Sequence, residues 1–396
     1  MVVAGIICEY NPLHKGHAWM MEEVRRCGAE AIVCAMSGNF VQRGEAAVAD
    51  KFARAEMAVR CGADLVLELP TPWSANTAEK FARGGVELLT KTGVVTHLAF
   101  GSECGDAAAL QTVAAVLNGE SYEETLRALL SSGDSFAVCR RKAVAALAGE
   151  ETASLLDRPN NNLGIEYCRA IHRTGAAMQV LTVPRMGADH DGATVDGIAS
   201  ASHIRGLLLG GETEEALALM PEAGAHVLRR ELAEGRAPVT LQNCERAILA
   251  KLRQMSEEDF APYDGGSEGL YRRFHRAVRT AATVEQLLEA AKTKRYTHAR
   301  LRRMLLAAWL EMKETPDDVP YLRVLAANET GRKLLRQMRD GGAPVLTKAA
   351  DVSALGEAAE QLFTAEAGRT DLYALTRPDL GQSICGSDWR ASPIML

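Results

Sequence analysis

Five short apolar runs that alternate with amphipathic stretches constrain the first 200 residues more than any other feature. The runs are VVAGIIC (2–8), AIVCAM (31–36), DLVLEL (64–69), THLAF (96–100) and MQVLTV (178–183). Helical patterns lie between them at about 16–27, 48–61, 75–92 and 105–118, and further helices are expected near 121–149 and 163–173. Strands this apolar are buried on both faces and the helical spacers supply the cover, so the rhythm predicts α/β architecture around a parallel sheet. Beyond about residue 205 the rhythm changes. Residues 211–235 and 241–313 read as helices without intervening strands, GRAPVT (235–240) and APYDGGSEG (261–269) as a boundary and a loop, and YLRVLAAN and APVLTK near the end as short strands. The division expected is an α/β domain over 1–210 followed by a mainly α-helical domain over 211–396.

In a parallel sheet the ligand crevice lies beyond the carboxyl ends of the strands. The segments that follow the five runs are EYNPLHKGH, SGNFVQRGE, PTPWSANTAE, GSECGD and PRMGADHDG, each rich in Gly, Pro, Ser, Asn or charge. The first is the most informative. His14 and His17 are three apart at the start of a helix and share roughly one face, and Gly16 between them lets a ligand approach the backbone. The free N–H groups and positive dipole end of a helix N-terminus suit phosphate. After the fifth run comes Ser200-Ala201-Ser202-His203-Ile204-Arg205, in which Ser200 or Ser202 caps a helix and Arg205 projects from its first turns.

HKGH after a first strand resembles the H-x-G-H signature of the nucleotidyltransferase superfamily, and SASHIR resembles the S-S-x-x-I-R type motif that those enzymes carry at a late helix. The strings GIICEYNPLHKGH, MSGNFVQRGE, DKFARAEMAVRCGADLVLELP, FGSECGD and RPNNNLGIEY together are similar to the tRNA(Met) cytidine acetate ligase family, closely over about residues 1–210 and more loosely beyond. This resemblance implies a HUP or Rossmann-like nucleotidyltransferase catalytic domain over 1–210, with tRNA binding in the helical domain over 211–396. The implied reaction is activation of acetate by ATP as acetyl-adenylate, followed by acetyl transfer to the exocyclic amine of the wobble cytidine in elongator tRNA(Met). His14 and His17 are then the catalytic pair that stabilises charge on the α-phosphate, and Arg205 reaches the β- and γ-phosphates.

By position, the resemblance assigns ATP binding to Ile7, Cys8, Glu9, Tyr10, Asn11, Pro12, Leu13, His14, Lys15, Gly16, His17, Ala18, Trp19 and Met20, and to Gly101, Arg185, Ser202 and Arg205. It also assigns one asparagine of Asn160-Asn161-Asn162, with Asn161 preferred. Gly101 has no side chain to keep a nucleotide off the backbone, an asparagine amide matches a base edge, and Arg185 offers a planar fork for phosphate. Acetate needs a donor for its carboxylate and a tight apolar wall, and Ser37, Gly38 and Asn39 in the second loop are the candidates. Magnesium is expected with ATP, without a dedicated protein cage. Glu9 either assists through a water or the ion, or orients the helix. Lys51 and Arg54 either serve phosphate or RNA or form a solvated helix face. Asp189-His190-Asp191 has metal-ligand residue types, but three adjacent residues do not converge easily on one ion, so a turn is expected there.

Between Tyr271 and Arg303 the chain carries ten Lys or Arg residues against Glu285 and Glu289, in a protein of net charge -6. Tyr271, Phe274, His275, Tyr296 and His298 are interleaved with them, a pattern suited to stacking on unpaired bases, and Lys294, Arg295, Arg302 and Arg303 are the candidate tRNA contacts. The overall acidity argues against wholesale coating of nucleic acid, and DNA is not an expected partner. No run reaches the roughly 18 apolar residues of a membrane span, and no signal-like start is present, so a cytoplasmic protein without membrane contact is expected. The nine cysteines are scattered singly with no C-x-x-C, as reduced and mostly buried thiols are. The competing readings are a nucleotidyltransferase that adenylylates a small phosphorylated metabolite, and a nucleotide- or RNA-binding protein without catalysis.

Overall fold

All five apolar runs form strands in the computed structural model, which describes residues 1–131, 134–185, 194–195, 198–265 and 269–396. In chain order the strands are β1 (Val3–Cys8), β2 (Ala31–Ser37), the hairpin β3 (Phe40–Val41) and β4 (Glu45–Ala46), β5 (Leu65–Leu69), β6 (His97–Ser102), β7 (Gln179–Pro184), the pair β8 (Thr194–Val195) and β9 (Ile198–Ala199), β10 (Leu322–Ala327), β11 (Val345–Leu346) and β12 (Ile394–Met395). The main sheet runs β11-β10-β5-β2-β1-β6-β7, with β12 beside β10. From β5 through β7 every pairing is parallel, and β10 joins β5 antiparallel.

The strand alternation sorts the core into two layers. Val3, Ile7, Val33, Ala35, Leu65 and Leu67 face one side of the sheet, and Ala4, Ile6, Ile32, Cys34 and Val66 face the other. Because the chain passes from β1 outward to β2 and β5, then returns to place β6 on the other side of β1, the order reverses between β1 and β6. That reversal opens a crevice at the carboxyl ends of those two strands.

The helical stretch after residue 211 is present as Thr213–Ala218, Glu222–Ala233, Glu245–Gln254, Leu270–Thr280, Val284–Ala291 and His298–Trp309. Residues between Val239 and Leu310 bury a core of their own, into which Phe40, Ala46 and Tyr373 also pack. The segment that follows does not stay with these helices. YLRVLAAN and APVLTK do form strands, β10 and β11, and β10 extends the sheet of the first 200 residues, so a boundary at 210 does not coincide with a boundary of the sheet. The physical reason is that β5 would otherwise expose an unpaired apolar edge, which the fully buried run Leu322–Ala327 covers. The loop expected at 261–269 is a 3-10 turn, Glu258–Tyr263, and then runs outside the described residues at 266–268, as do Asp189, His190 and Asp191. No helix among the described residues is long and apolar enough to cross a membrane.

Candidate functional site

His14 is the N-cap of the helix Lys15–Arg26. Its Nδ1 accepts the Gly16 N–H at 3.1 Å, and His17 Nδ1 accepts the His14 N–H at 3.3 Å, a reciprocal cap in which two imidazoles do what Ser and Glu do in other proteins. The rings stack with centroids 3.7 Å apart, and Tyr10 meets His17 edge-on at 5.0 Å. Burial, with Arg185 nearby, lowers the His14 pKa to about 3, and burial followed by His14 and Arg185 holds His17 well below its usual range. Both imidazoles are therefore neutral at pH 7. Because each Nδ1 accepts a backbone N–H, the ring proton of each is fixed on Nε2. The pair presents two N–H donors on one face at a helix N-terminus.

A Cβ on Gly16 would lie 3.1 Å from the His14 ring and from Ile198, so the glycine makes room for the histidine. At Gly101 a Cβ would lie 3.1 Å from Arg185 Cγ, so that glycine lets the arginine lie across the end of β6.

These groups line a cavity of about 390 Å³ at the β1/β6 reversal. Of the expected ATP residues, Ile7, Cys8, Glu9, Tyr10, Asn11, His14, His17, Met20, Gly101, Arg185, Ser202 and Arg205 line it. Pro12 and Leu13 are buried behind the loop, Lys15 is exposed, and Gly16, Ala18 and Trp19 lie on the helix without lining the cavity. Ser200 is the N-cap, accepting the His203 N–H, which leaves Ser202 facing the cavity. Arg205 donates to the Asn11 carbonyl at 2.8 Å and to Glu45 at 3.3 Å.

Asn161 requires a correction. Its Oδ1 accepts the N–H groups of Glu103 and Cys104 at 2.9 and 3.0 Å, and Glu103 in turn accepts the N–H groups of Asn160 and Asn161. Asn161 is thus a buried clamp between the loop after β6 and the helix Pro159–Thr174, while Asn160 and Asn162 line the cavity and Asn160 accepts from Arg185 at 3.2 Å. One helical residue is a turn of about 100°, enough to exchange these roles.

The candidate acetate residues also lie elsewhere. Ser37 and Asn39 are buried and, with Gly38, do not line the cavity. Asn39 caps the Lys51 N–H and bonds Thr370, and a Cβ at Gly38 would strike Glu68. The part of that loop that reaches the cavity is Val41, Gln42, Arg43 and Glu45. Burial pushes the Glu9 carboxyl up, against the Gln42 N–H that it accepts at 2.8 Å.

Neither reading of Lys51 and Arg54 holds, because both are fully buried. Arg54 donates to the carbonyls of Glu9, Ser37, Gly38 and Ala49 and so ties the first two loops together. Lys51 pairs with Glu68 at 2.7 Å and Asp388 at 2.8 Å. Burial opposes its charge and the two carboxylates outweigh that, holding the ammonium above its usual range.

Ala78, Phe81, Phe100, Leu163 and Tyr167 also line the cavity and supply apolar surface, and no motif in the sequence marks them. Phe81, Phe100 and Tyr167 are buried in the core and Leu163 packs against it, so their apolar character reads as packing until the crevice is seen. No three His, Cys, Asp or Glu side chains converge as a metal site among the described residues.

In the basic region much of the charge turns inward. Arg273 donates to the carbonyls of Ala290, Ala291 and Lys292, Arg279 to those of Arg253 and Met255, and Arg300 to that of Asp264. Phe274 and Tyr296 are buried core residues rather than stacking platforms. Lys294 and Arg295 are exposed, whereas Arg302 and Arg303 meet the β3–β4 hairpin, Arg302 bonding Glu45 and Arg303 the Gln42 carbonyl.

A family profile described as HIGH Nucleotidyl Transferase matches residues 1–386. The tRNA(Met) cytidine acetate ligase of Syntrophomonas wolfei is 35% identical, covering 100% of this chain and 99% of its own length, and that of Thermotoga petrophila is 36% identical over 98% and 99%. The crystal structure of apo Thermotoga maritima TmcAL superposes with a TM-score of 0.95 at 34% identity, and that of TmcAL bound with alpha-thio ATP with 0.93, each covering 100% of both chains.

Proposed function

The chain belongs to the tRNA(Met) cytidine acetate ligases, a family of HIGH nucleotidyl transferases, and from that premise we propose that it activates acetate with ATP and acetylates the wobble cytidine of elongator tRNA(Met). The observation that carries the reading is the pair of neutral imidazoles at a helix N-terminus, with both Nε2–H donors presented where Arg185 and Arg205 also line the cavity. The adenine and ribose lie against Phe81, Phe100, Leu163 and Tyr167, and the phosphates run past His14 and His17 toward Arg205. An acetate oxygen attacks the α-phosphorus, the bond to the β-phosphate oxygen breaks, and pyrophosphate leaves. The two N–H donors take up the charge that builds on the α-phosphoryl oxygens, without a proton transfer of their own. In the second step the cytidine amine attacks the acetyl carbon, loses its proton, and AMP departs.

Acetate is assigned to the Gln42–Arg43 side of the cavity, where a guanidinium is present, in place of Ser37–Asn39. The tRNA meets Lys294, Arg295, Arg302 and Arg303, and the enzyme works in the cytoplasm, where its tRNA is found. Magnesium would enter as the counter-ion of ATP. The cavity carboxylates Glu9 and Glu45 already accept N–H groups, so most of its ligands would be phosphate oxygens and water.

The test is incubation with ATP and labelled acetate, with and without tRNA(Met), reading pyrophosphate and acetylated nucleoside. Pyrophosphate that depends on acetate, with label recovered in N4-acetylcytidine, is the expected result. Adenylyl transfer to a phosphorylated metabolite, with no dependence on acetate, would replace this reading with the simpler nucleotidyltransferase.

A further inference from the structure

Glu45 stands between the two halves of the molecule. It is half-buried at the rim of the cavity, and its two carboxylate oxygens go to arginines from different elements. Oε2 accepts from Arg205 Nη2 at 3.3 Å, and Oε1 accepts from Arg302 Nη1 at 2.6 Å. Arg205 belongs to the helix Ala201–Leu209 at the cavity, and Arg302 to the helix His298–Trp309 of the basic region.

The hairpin that carries Glu45 is seated firmly on that second helix. Gly44 has a φ of +78°, and a Cβ there would lie 2.5 Å from the backbone of Arg302 and Arg303. Arg303 donates to the Gln42 carbonyl, and Phe40 packs edge-on against Trp309. The carboxylate is thus fixed within reach of both guanidiniums.

One carboxylate between two guanidiniums cannot neutralise both. If a phosphate draws one arginine away, the carboxylate is left to pair with the other and screens its charge. We propose that Glu45 is a positioning residue through which the ATP triphosphate and the tRNA backbone compete. This rests on the reading above, in which Arg205 meets the triphosphate and Arg302 meets RNA. While the triphosphate holds Arg205, Glu45 belongs to Arg302 and RNA is held weakly. When pyrophosphate leaves, Arg205 returns to Glu45, and Arg302 is released to RNA at the stage when the adenylate needs its acceptor. The carboxylate thereby orders the two half-reactions without touching a reacting atom.

The experiment is titration of the full chain with ATP, in the absence of acetate, with and without saturating tRNA(Met). In the wild type, tRNA raises the ATP Kd roughly two- to fivefold, the range of a partly exposed ion pair, and ATP raises the tRNA Kd by the same factor. Glu45→Gln cannot screen either arginine, so the factor falls to about one and each ligand alone binds at least as tightly as in the wild type. Arg302→Gln leaves Glu45 to Arg205 alone, so ATP binding weakens without any RNA present, and adding Glu45→Gln to that variant restores it. An ATP Kd indifferent to tRNA in the wild type, a coupling that persists in Glu45→Gln, or an unchanged ATP Kd in Arg302→Gln would each overturn the proposal. Direct tRNA binding separates the two levels. If Arg302→Gln binds tRNA as the wild type does, the RNA contact itself is misassigned and the competition falls with it. If that variant loses tRNA affinity but the wild type shows no coupling, the RNA contact stands and the competition alone fails.

Discussion

At the carboxyl ends of β1 and β6, His14, His17, Arg185 and Arg205 line a common cavity, whereas between Tyr271 and Arg303 most guanidiniums turn back onto the protein's own carbonyls. Both regions are dense in hydrogen-bonding side chains, and only the first concentrates them on a shared space. The difference lies in the backbone. At the sheet crevice the strands and the capped helix pair their own peptide groups, and although Arg205 also donates to the Asn11 carbonyl, the polar side chains gather on one cavity. In the helical region the chain ends several helices close together, and arginines satisfy the orphan carbonyls that those ends leave. A run of charge in a sequence therefore does not by itself mark a binding surface, because carbonyls at helix ends can take up its guanidiniums.

The largest expected effect is at the histidine pair. His14→Ala or His17→Ala should lower acetate-dependent pyrophosphate release about 10²- to 10³-fold, the cost of losing one preorganised donor, and leave tRNA binding unchanged. Near wild-type release in both variants would dissolve the contrast between the two regions.

The asparagine pair sharpens the same contrast within the cavity. Asn161→Ala strands two backbone N–H groups and should destabilise the fold by about 1–3 kcal/mol, read as a drop in Tm. Asn160→Ala should change Tm less and raise the KM for ATP, and the reverse pattern would return Asn161 to the cavity.

The buried His14 also makes stability depend on pH. The unfolded imidazole titrates near 6.5 and the folded one at about 3, so between those values the unfolded chain holds a proton that the folded chain lacks. Stability should fall as pH drops below 6.5, by about 2 kcal/mol at pH 5 from this group, and His14→Asn should flatten that slope in a urea titration.

The smallest effects separate outward from inward charge in the basic region. Lys294→Glu and Arg295→Glu should each reduce the salt slope of tRNA binding by about one phosphate contact, whereas Arg273→Gln should shift Tm and leave the slope alone. A slope that responds to Arg273 and not to Lys294 would move the RNA surface to the other face.

Much of this was legible in the sequence because it was written in local patterns. The five strands announce themselves by apolar runs bounded by turn residues, and residues of HKGH and SASHIR line the cavity at the carboxyl ends of the parallel strands. What escaped depended on partners far along the chain. Lys51 and Arg54 carry the spacing of a helix face, and nothing nearby tells that Glu68 and Asp388 receive one and four carbonyls the other. Asn161 and Asn160 differ by a single helical step, which no local propensity resolves. YLRVLAAN reads correctly as a strand, but an apolar run does not say which sheet edge it will cover.

The pairing of Lys51 with Asp388 has a consequence for the protein's synthesis. The two residues are 337 positions apart, so a ribosome working at about 5–20 residues per second delivers the aspartate on the order of 20–60 s after the lysine. Until the C-terminal segment is made, Lys51 has Glu68 but not Asp388 to pair with, and β5 lacks the strand that covers its edge. The front of the enzyme is thus translated early and finished late, and a chaperone that shields an open strand edge would have that interval in which to act.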